Sequence, residues 1–388
     1  MMGFFSSNNS SSSGDKSSAG KGLFDKYAVD RKKKYGEGGY GATFAAVDKT
    51  TGEALACKLI DMRRMREDAI KKECQILETL THPNVISVKG HGPGESSNDK
   101  HIYYIFMELA SGGELFDQVI DRGASAMDEP TARGFFGQII DGIAYCHLAG
   151  VAHRDLKLEN VLLTENGAIK VIDFGLSHVY PVGAGGAVDR STRLHDVCGS
   201  KSYAAPEVLA NLAVGYDGYA ADMWSLGVSI FAMLSGFFPL DEATANDWRY
   251  PKLLETQRRG GSTVSTVYAW YKRPVHLSPE VVHMINGLLT IDPQRRMTME
   301  QLRSHPWIVG TKFDQGSFNP GMEVGDGDGP TYRGFQGGPT YDDHESYMED
   351  DDMPVFHTPQ AAVPPLPSEL LLSMGVSRSD LALFDCCC

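Results

Sequence analysis

One stretch, residues 153–175, constrains the fold of this 388-residue chain more than any other part of it. It opens with His-Arg-Asp-Leu-Lys-Leu-Glu-Asn, which ends at Asn160, and Asp173-Phe-Gly follows the strand-like residues 169–172. A carboxylate such as Asp155 can orient a hydroxyl group and accept its proton, and an amide and a carboxylate are hard oxygen ligands of the kind Mg²⁺ prefers. The spacing therefore predicts a magnesium-dependent site at which a hydroxyl group is the nucleophile.

A glycine-rich motif lies upstream and contains Gly36, Glu37, Gly38, Gly39, Tyr40 and Gly41. Glycines allow backbone N–H groups to come close to phosphate groups. Strand-like residues 42–47 follow the motif, whereas the dinucleotide-binding pattern requires a helix there. Taken alone, such a motif is more often an ordinary turn.

Lys58 follows the apolar residues 55–57 within the next strand-like segment, residues 54–60. Its ammonium would bind the α- and β-phosphates of a nucleotide, and Glu73 on the predicted helix 68–80 would fix its position by pairing with it. A lysine at the end of an apolar run is often only an exposed edge residue, so the pairing with Glu73 distinguishes the two interpretations.

In this order, the motifs resemble those of the eukaryotic protein kinase family. The resemblance covers residues 27–308 and continues in four further features: Ala205-Pro206-Glu207, the Asp222-Met-Trp-Ser-Leu-Gly segment, Arg296, and His305-Pro306-Trp307. It implies an α+β fold with two lobes, a small β-rich N-lobe and a larger α-helical C-lobe. ATP and Mg²⁺ are the implied cofactors, and protein substrates are the implied partners.

The resemblance also implies a role for each matching position. The catalytic residues are Asp155, Lys157, Lys58 and Glu73, and the metal ligands are Asn160 and Asp173. The ATP-binding residues are the six of the glycine-rich motif together with Lys58, Met107, Glu108, Ala110 and Glu114. The substrate-loop and regulatory residues are Asp196, Ser200, Glu207 and Arg296.

Two local features resemble the serine/threonine branch of the family: Lys157, and Gly199-Ser200 followed by Tyr203. Residues 111–117 resemble the calcium/calmodulin-dependent kinase group, in particular AMP-activated and checkpoint kinases. Within that group, Glu114 and Glu159 imply a preference for Arg or Lys upstream of the phosphorylated residue. Two solvated carboxylates without this role are the alternative.

Asp196 occupies the position where relatives carry a phosphorylatable threonine. A fixed carboxylate there could pair with Arg154 and replace part of the phosphate charge, which predicts basal activity without an activating kinase. The alternative is control through Ser191 or Thr192. The same segment contains a Gly-Ala-Gly-Gly insertion at residues 183–186.

Two other functions were weighed against protein phosphorylation. A scaffold without catalysis would usually lack the equivalents of Lys58, Asp155 or Asp173, and all three are present. A kinase for lipids or small molecules would seldom retain the segment that ends at Glu207 or the loop around Ser200, because these position a polypeptide.

The ends of the chain differ in composition from the part that resembles a kinase. We expect a disordered Ser-rich tail at 1–23, a kinase domain at 24–308, and a flexible acidic and Pro-rich tail at 309–388. The tail ends in three cysteines, Cys386 to Cys388, and lipidation there or at Gly3 would attach the chain to a membrane surface.

Charge and hydropathy limit the location and partners. The net charge of −14 disfavours nucleic acid as a partner, and no apolar run is long enough to span a bilayer. The N-terminus has no apolar signal core, so we expect a cytoplasmic protein, with the nucleus as a second location. An upstream kinase or a regulatory subunit would be a further partner.

Overall fold

The computed structural model describes residues 22–120 and 127–310. The two predicted tails therefore lie almost wholly outside the described residues, and so do Gly3 and the terminal cysteines. No helix in the described part of the chain is long and apolar enough to cross a membrane.

The N-lobe is built around one antiparallel sheet of five strands, in the order β1-β2-β3-β5-β4. Its elements run along the chain as α1 (Leu23–Lys26), β1 (Tyr27–Gly38), β2 (Gly41–Asp48), β3 (Ala54–Asp61), α2 (Glu67–Thr79), β4 (Val88–Pro93) and β5 (Ile102–Glu108). The strands predicted at 42–47 and 54–60 and the helix predicted at 68–80 are confirmed to within one residue at each end.

Alternation along the strands divides the N-lobe core between the two faces of the sheet. On β5, Tyr104 and Phe106 face a cluster that includes Leu55 and Cys57 of β3. Tyr103 and Ile105, with the opposite parity, pack with other apolar side chains that include Ile70 and Cys74 of α2. This second cluster holds α2 against the sheet and thereby fixes the position of Glu73.

The C-lobe is mainly helical, with short strand pairs β6–β9 and β7–β8 near the interface with the N-lobe. Its elements are α3 (Leu115–Ile120), α4 (Glu129–Leu148), β6 (Val151–Ala152), a 3₁₀ turn (Leu158–Asn160), β7 (Val161–Leu163), β8 (Ile169–Val171), β9 (His178–Val179), α5 (Pro206–Leu209), α6 (Gly218–Ser235), α7 (Arg249–Arg258), α8 (Thr263–Trp270), α9 (Pro279–Leu288), α10 (Met299–Arg303) and α11 (Pro306–Val309).

Helix α4 begins six residues before the helix predicted at 135–147. The Asp128 side chain accepts a hydrogen bond from the Thr131 N–H at 2.8 Å, and Pro130 lies in the first turn. This capping chemistry explains the earlier start, because the prediction used only the apolar periodicity further along.

Helix α6 forms the centre of the C-lobe, and almost every one of its residues is buried. A helix that is apolar all round belongs in a core, and α6 fits this rule apart from three buried serines and one charged residue, Asp222. That carboxyl group is completely buried, and its partners lie in the candidate active site.

Candidate active site

Asp222 anchors the loop that carries the predicted base, Asp155. Its carboxylate accepts hydrogen bonds from the backbone N–H groups of His153 at 2.9 Å and Arg154 at 2.8 Å, and His147 Nε2 lies 2.8 Å away. Arg154 has a φ of 68°, which is uncommon for a residue other than glycine. The buried carboxylate thus stabilises a strained backbone directly before Asp155.

The side chain of Asp155 is held by two predicted neighbours, Ser200 and Lys157. Ser200 donates to Asp155 Oδ1 through its backbone N–H at 2.9 Å and its hydroxyl at 3.0 Å, and Lys157 Nζ lies 3.1 Å from Oδ2. Lys157 Nζ also donates to Ser200 Oγ at 2.9 Å. Gly199, with a φ of 89°, permits this approach, because a Cβ there would lie 2.8 Å from the Arg154 carbonyl oxygen.

Lys58 lies between two carboxylates, Glu73 at 3.2 Å and Asp173 at 3.7 Å. Burial alone would lower the pKa of the Lys58 ammonium, but the two carboxylates outweigh burial and hold that pKa above its usual value. The lysine is therefore fully charged and is oriented by α2, so the structure brings together the pair that the sequence suggested.

The two predicted metal ligands are neighbours, because the Ile172 N–H donates to the Asn160 carbonyl at 2.9 Å. Asn160 Nδ2 donates to the backbone carbonyl and the Oδ2 atom of Asp155, at 2.9 and 3.2 Å. Among the described residues nothing donates to Asn160 Oδ1, so the amide is fixed with its oxygen available to a ligand.

Asp173 supplies the charged member of this donor set. Burial would raise the pKa of its carboxyl, but Lys58 and His153 hold it below the usual value, so the group is ionised. Its φ of 64° turns the side chain out of the extended path of β8. An ionised carboxylate beside a free amide oxygen fits the hard-ligand preference of Mg²⁺.

The glycine-rich motif forms the hairpin between β1 and β2, where Gly38 pairs with Gly41. A Cβ added at Gly36, Gly38 or Gly39 would meet nothing within 4 Å, which leaves space for a ligand on this hairpin. Gly41 has a different role, because a Cβ there would lie 1.8 Å from the Leu59 carbonyl oxygen.

The other two residues of the motif project outward. The Glu37 side chain is exposed and forms an ion pair with Lys34, and Tyr40 is exposed at the turn. Among the described residues neither side chain has a contact that points to nucleotide binding, which leaves the backbone N–H groups as the candidates for binding phosphate.

The predicted adenine-binding segment connects β5 to the C-lobe. The Glu108 side chain accepts a hydrogen bond from the Ser87 N–H at 2.8 Å and forms an ion pair with Lys170 at 2.8 Å. Each oxygen of its carboxylate therefore already has a partner. Met107 lies on β5 between Ala56 and Val88 of its neighbouring strands. In the described part of the chain, the Ala110 N–H has no hydrogen-bond partner and remains available to a ligand.

Two predicted acidic residues lie near the catalytic loop. Glu159 accepts a hydrogen bond from the Tyr203 hydroxyl at 3.0 Å. Burial, and then the nearby carboxylates of Asp117 and Glu159, raise the pKa of Glu114. Asp117 thus joins Glu114 and Glu159 in an acidic group, and it was not among the predicted site residues.

The activation segment, residues 173–207, is tied to the C-lobe at several points. Leu194 and Tyr216 exchange two backbone hydrogen bonds of 2.9 and 2.8 Å. The glycine insertion forms a small hairpin, with Val182 bridged to Val188. Asp196, at the position of the missing threonine, lies 3.4 Å from Arg154 Nη1.

The segment ends in a buried ion pair between Glu207 and Arg296. The Arg296 guanidinium donates to both carboxylate oxygens, at 2.5 and 2.9 Å. It also donates to the backbone carbonyls of Thr290, Ala220 and Ile291. The N–H groups of this buried guanidinium therefore all have acceptors, and these hydrogen bonds join the end of the segment to the loop after α9.

Comparison with known proteins agrees with this geometry. Residues 29–308 match the family model described as "Protein kinase domain", which is more than half of the chain. The chain belongs to the protein kinase family, whose members use ATP and Mg²⁺ to phosphorylate hydroxyl groups.

The chain is similar to protein kinases of Oryza sativa subsp. japonica and Arabidopsis thaliana. The chain is 37% identical over 290 residues to CBL-interacting protein kinase 24 of Oryza sativa subsp. japonica, which covers 74% of this chain and 57% of the relative. It is 38% identical over 299 residues to CBL-interacting serine/threonine-protein kinase 1 of Arabidopsis thaliana. This alignment covers 75% of this chain and 60% of the relative. The match thus spans a little over half the length of each relative.

Some functional contacts were not found by sequence reasoning. The role of Asp222 in anchoring the loop was missed, although a single carboxylate in an otherwise apolar helix is a usable signal. The bridge from Glu108 to Lys170 had no such signal, since it joins residues that are 62 positions apart in the sequence.

Proposed function

We propose that this protein is a serine/threonine protein kinase that transfers the γ-phosphoryl group of ATP to hydroxyl groups of protein substrates. The observation that carries the proposal is the triangle of Asp155, Lys157 and Ser200, in which each side chain contacts the other two. This triangle fixes a carboxylate base and a cation side by side at the mouth of the site.

Each residue of the site has a distinct part in the transfer. Asp155 accepts a hydrogen bond from the attacking hydroxyl and takes its proton as the new bond to the γ-phosphorus forms, while the bond from that phosphorus to the bridging oxygen breaks and ADP leaves. Lys157 stabilises the negative charge on the transferred phosphoryl group. Lys58, held by Glu73, orients the α- and β-phosphates.

The metal-binding part of the site rests on Asn160 and Asp173. These two residues would hold Mg²⁺, which would supply positive charge against the phosphates of the nucleotide. The chain contributes the free Asn160 Oδ1 atom and the ionised Asp173 carboxylate, while Lys58 keeps the latter deprotonated.

The first test is transfer from labelled ATP, with Mg²⁺, to a mixture of basic serine and threonine peptides. The matched variant is Asp155→Asn, which keeps the size of the side chain and removes the base. We expect transfer by the natural protein and a loss of about 10²- to 10⁴-fold in the variant. Equal labelling by both proteins would favour the scaffold alternative. Nucleotide binding without any transfer would mean either a scaffold role or a missing upstream phosphorylation.

We also propose that substrates carry Arg or Lys upstream of the phosphorylated residue. The support is the acidic group of Glu114, Asp117 and Glu159, in which burial and then the other two carboxylates raise the pKa of Glu114. A positional peptide library should show enrichment of basic residues upstream, and this enrichment should weaken in Glu114→Gln. A flat upstream profile in the natural protein would exclude the idea.

We also propose that the protein has basal activity without an activating kinase, and the support is the contact between Asp196 and Arg154. The carboxylate supplies one negative charge where relatives need a phosphate. Protein made in bacteria and shown by mass spectrometry to be unphosphorylated should therefore transfer phosphate. Inert protein that gains activity after phosphorylation of Ser191 or Thr192 would instead establish control through those two residues.

A regulatory protein partner is proposed from the relatives, whose names describe them as CBL-interacting. The proposed location is the cytoplasm, with the nucleus as a second location and the membrane surface only after lipidation at Gly3 or Cys386 to Cys388. Intact mass of protein from its native cells decides the last point, since a lipid adduct adds a defined mass.

A further inference from the structure

Lys201 follows directly after Ser200, the residue that contacts the predicted base. Because the Ser200 hydroxyl is 3.0 Å from Asp155 Oδ1, the backbone of Lys201 lies within one residue of the site where an acceptor hydroxyl must bind. The Lys201 side chain is 79% exposed. A largely exposed cation therefore follows directly after the catalytic triangle in the chain without being part of that triangle.

Glu242 holds this cation in place without neutralising it fully. Lys201 Nζ lies 3.6 Å from Glu242 Oε2. The Thr244 hydroxyl donates to Glu242 at 2.7 Å and, ahead of Lys201, holds the pKa of the carboxyl below its usual value. An exposed pair at this distance is weak, and a lysine ammonium has three donors, so Lys201 keeps donors for a second carboxylate.

The identity of the second carboxylate follows from the arrangement of charges around Asp155. The carboxylates of Glu114, Asp117 and Glu159 are assigned to the upstream part of a substrate. The substrate residue directly after the acceptor lies only about 3.8 Å further along the chain, which is within the length of an extended lysine side chain. The residue directly before the acceptor is equally near, but it belongs to the upstream part that is assigned to the acidic group, so we expect Lys201 to meet the residue after the acceptor.

We propose that Lys201 is a specificity-determining residue that selects Asp or Glu directly after the phosphorylated serine or threonine. The assignment rests on the proposed function and deepens it. The substrate class becomes a segment with basic residues before the acceptor and an acidic residue after it. Neutral and basic residues at the following position are accepted less well because they leave the Lys201 ammonium without a new partner or repel it.

The test uses three synthetic peptides that differ only at the position after the acceptor, which is Glu, Gln or Lys. With the natural protein we expect KM to rise by about 3- to 5-fold from the Glu to the Gln peptide, as for an exposed ion pair, and further for Lys, with kcat unchanged. Lys201→Gln should give equal KM values for the Glu and Gln peptides, and Lys201→Glu should reverse the order.

Lys89→Glu is the matched control. Lys89 is paired with Glu53 at 3.0 Å on the N-lobe, so the variant also places two carboxylates together, and its ranking of the peptides should equal that of the natural protein. Thermal unfolding shows whether each variant is folded. If the natural protein phosphorylates all three peptides with one KM, Lys201 has no such role although the kinase assignment stands. If it phosphorylates none, even after phosphorylation of Ser191 or Thr192, the proposed function fails and this assignment fails with it.

Discussion

The activation segment is held by an arginine–carboxylate pair near its middle and by another at its end, and the two pairs differ in almost every physical respect. Arg296 and Glu207 are 1% and 4% exposed, and five hydrogen bonds satisfy the guanidinium. Arg154 is also largely buried, but its partner Asp196 is 79% exposed and 3.4 Å away.

The difference shows how one segment can be both fixed and adjustable. Removing one partner of a buried pair leaves an uncompensated charge, which typically costs about 3–5 kcal/mol. An exposed pair contributes about 0.2–1 kcal/mol. The end of the segment is therefore part of the fold, while the middle can respond to a change of charge without loss of the folded state.

The largest effect is expected from Arg296→Leu. The variant leaves the Glu207 carboxylate buried without its cation, so the free energy of unfolding should fall by about 3–5 kcal/mol. Urea denaturation followed by tryptophan fluorescence measures this change. The control is Arg303→Leu, which removes an exposed pair with Asp141 and should cost less than about 1 kcal/mol. Similar losses in both variants would refute the contrast between buried and exposed pairs.

A smaller effect is expected from Asp196→Ala. The free energy of unfolding should change by less than about 1 kcal/mol, while the activity of unphosphorylated protein should fall about 3- to 5-fold because the contact with Arg154 is lost. The comparison variant is Asp189→Ala, whose carboxylate accepts from the Ser191 backbone in the same segment. Unchanged activity in Asp196→Ala would show that the carboxylate does not support the active arrangement.

The two arginine–carboxylate pairs should also differ, by a smaller amount, in their response to salt. Raising the ionic strength from about 0.1 M to 1 M shortens the screening length from about 10 Å to about 3 Å. The difference in activity between the natural protein and Asp196→Ala should therefore shrink at high salt. The stability difference caused by Arg296→Leu should remain, since water and ions do not reach that pair. Parallel activity and unfolding measurements at both salt concentrations provide the check.

The smallest expected effect is a shift in the titration of His178. Burial, Arg154 and Lys72 hold the pKa of His178 below 6.5, whereas Asp196 opposes them. Asp196→Asn should therefore lower this pKa further, as NMR titration of the imidazole would show. Because the folded-state pKa is below the unfolded-state value, stability is lost as pH falls below about 6.5, and the loss should be larger in the variant. A pKa that rises or stays constant would mean that Asp196 does not act on His178.

Much of the catalytic site could be predicted because its residues are close together in the sequence. Asp155, Lys157 and Asn160 share one short loop, and the strand before Asp173 brings that residue to the same place. The contact of Ser200 with Asp155 and Lys157 was also anticipated, through the resemblance to serine/threonine kinases. The roles of these residues in catalysis remain predictions that the proposed experiments test.

Other parts could not be predicted because they depend on contacts across the fold. The sequence offers no local reason why Glu108 should meet Lys170. The glycine motif alone also does not show that its glycines have different roles. Gly41 is required by the packing of β2 against β3, whereas Gly36 and Gly38 have open space beside them. Helix α8 and the small hairpin at 182–188 also lay outside the predicted elements.

The bridge between Glu108 and Lys170 has a kinetic consequence. It links the last N-lobe strand to β8 in the C-lobe, close to the segment that would bind adenine. Opening of the cleft between the lobes must stretch or break this contact. In many enzymes the departure of product, and not the chemical step, limits turnover. We therefore expect the residence time of spent nucleotide, rather than the rate of bond making, to depend on Lys170.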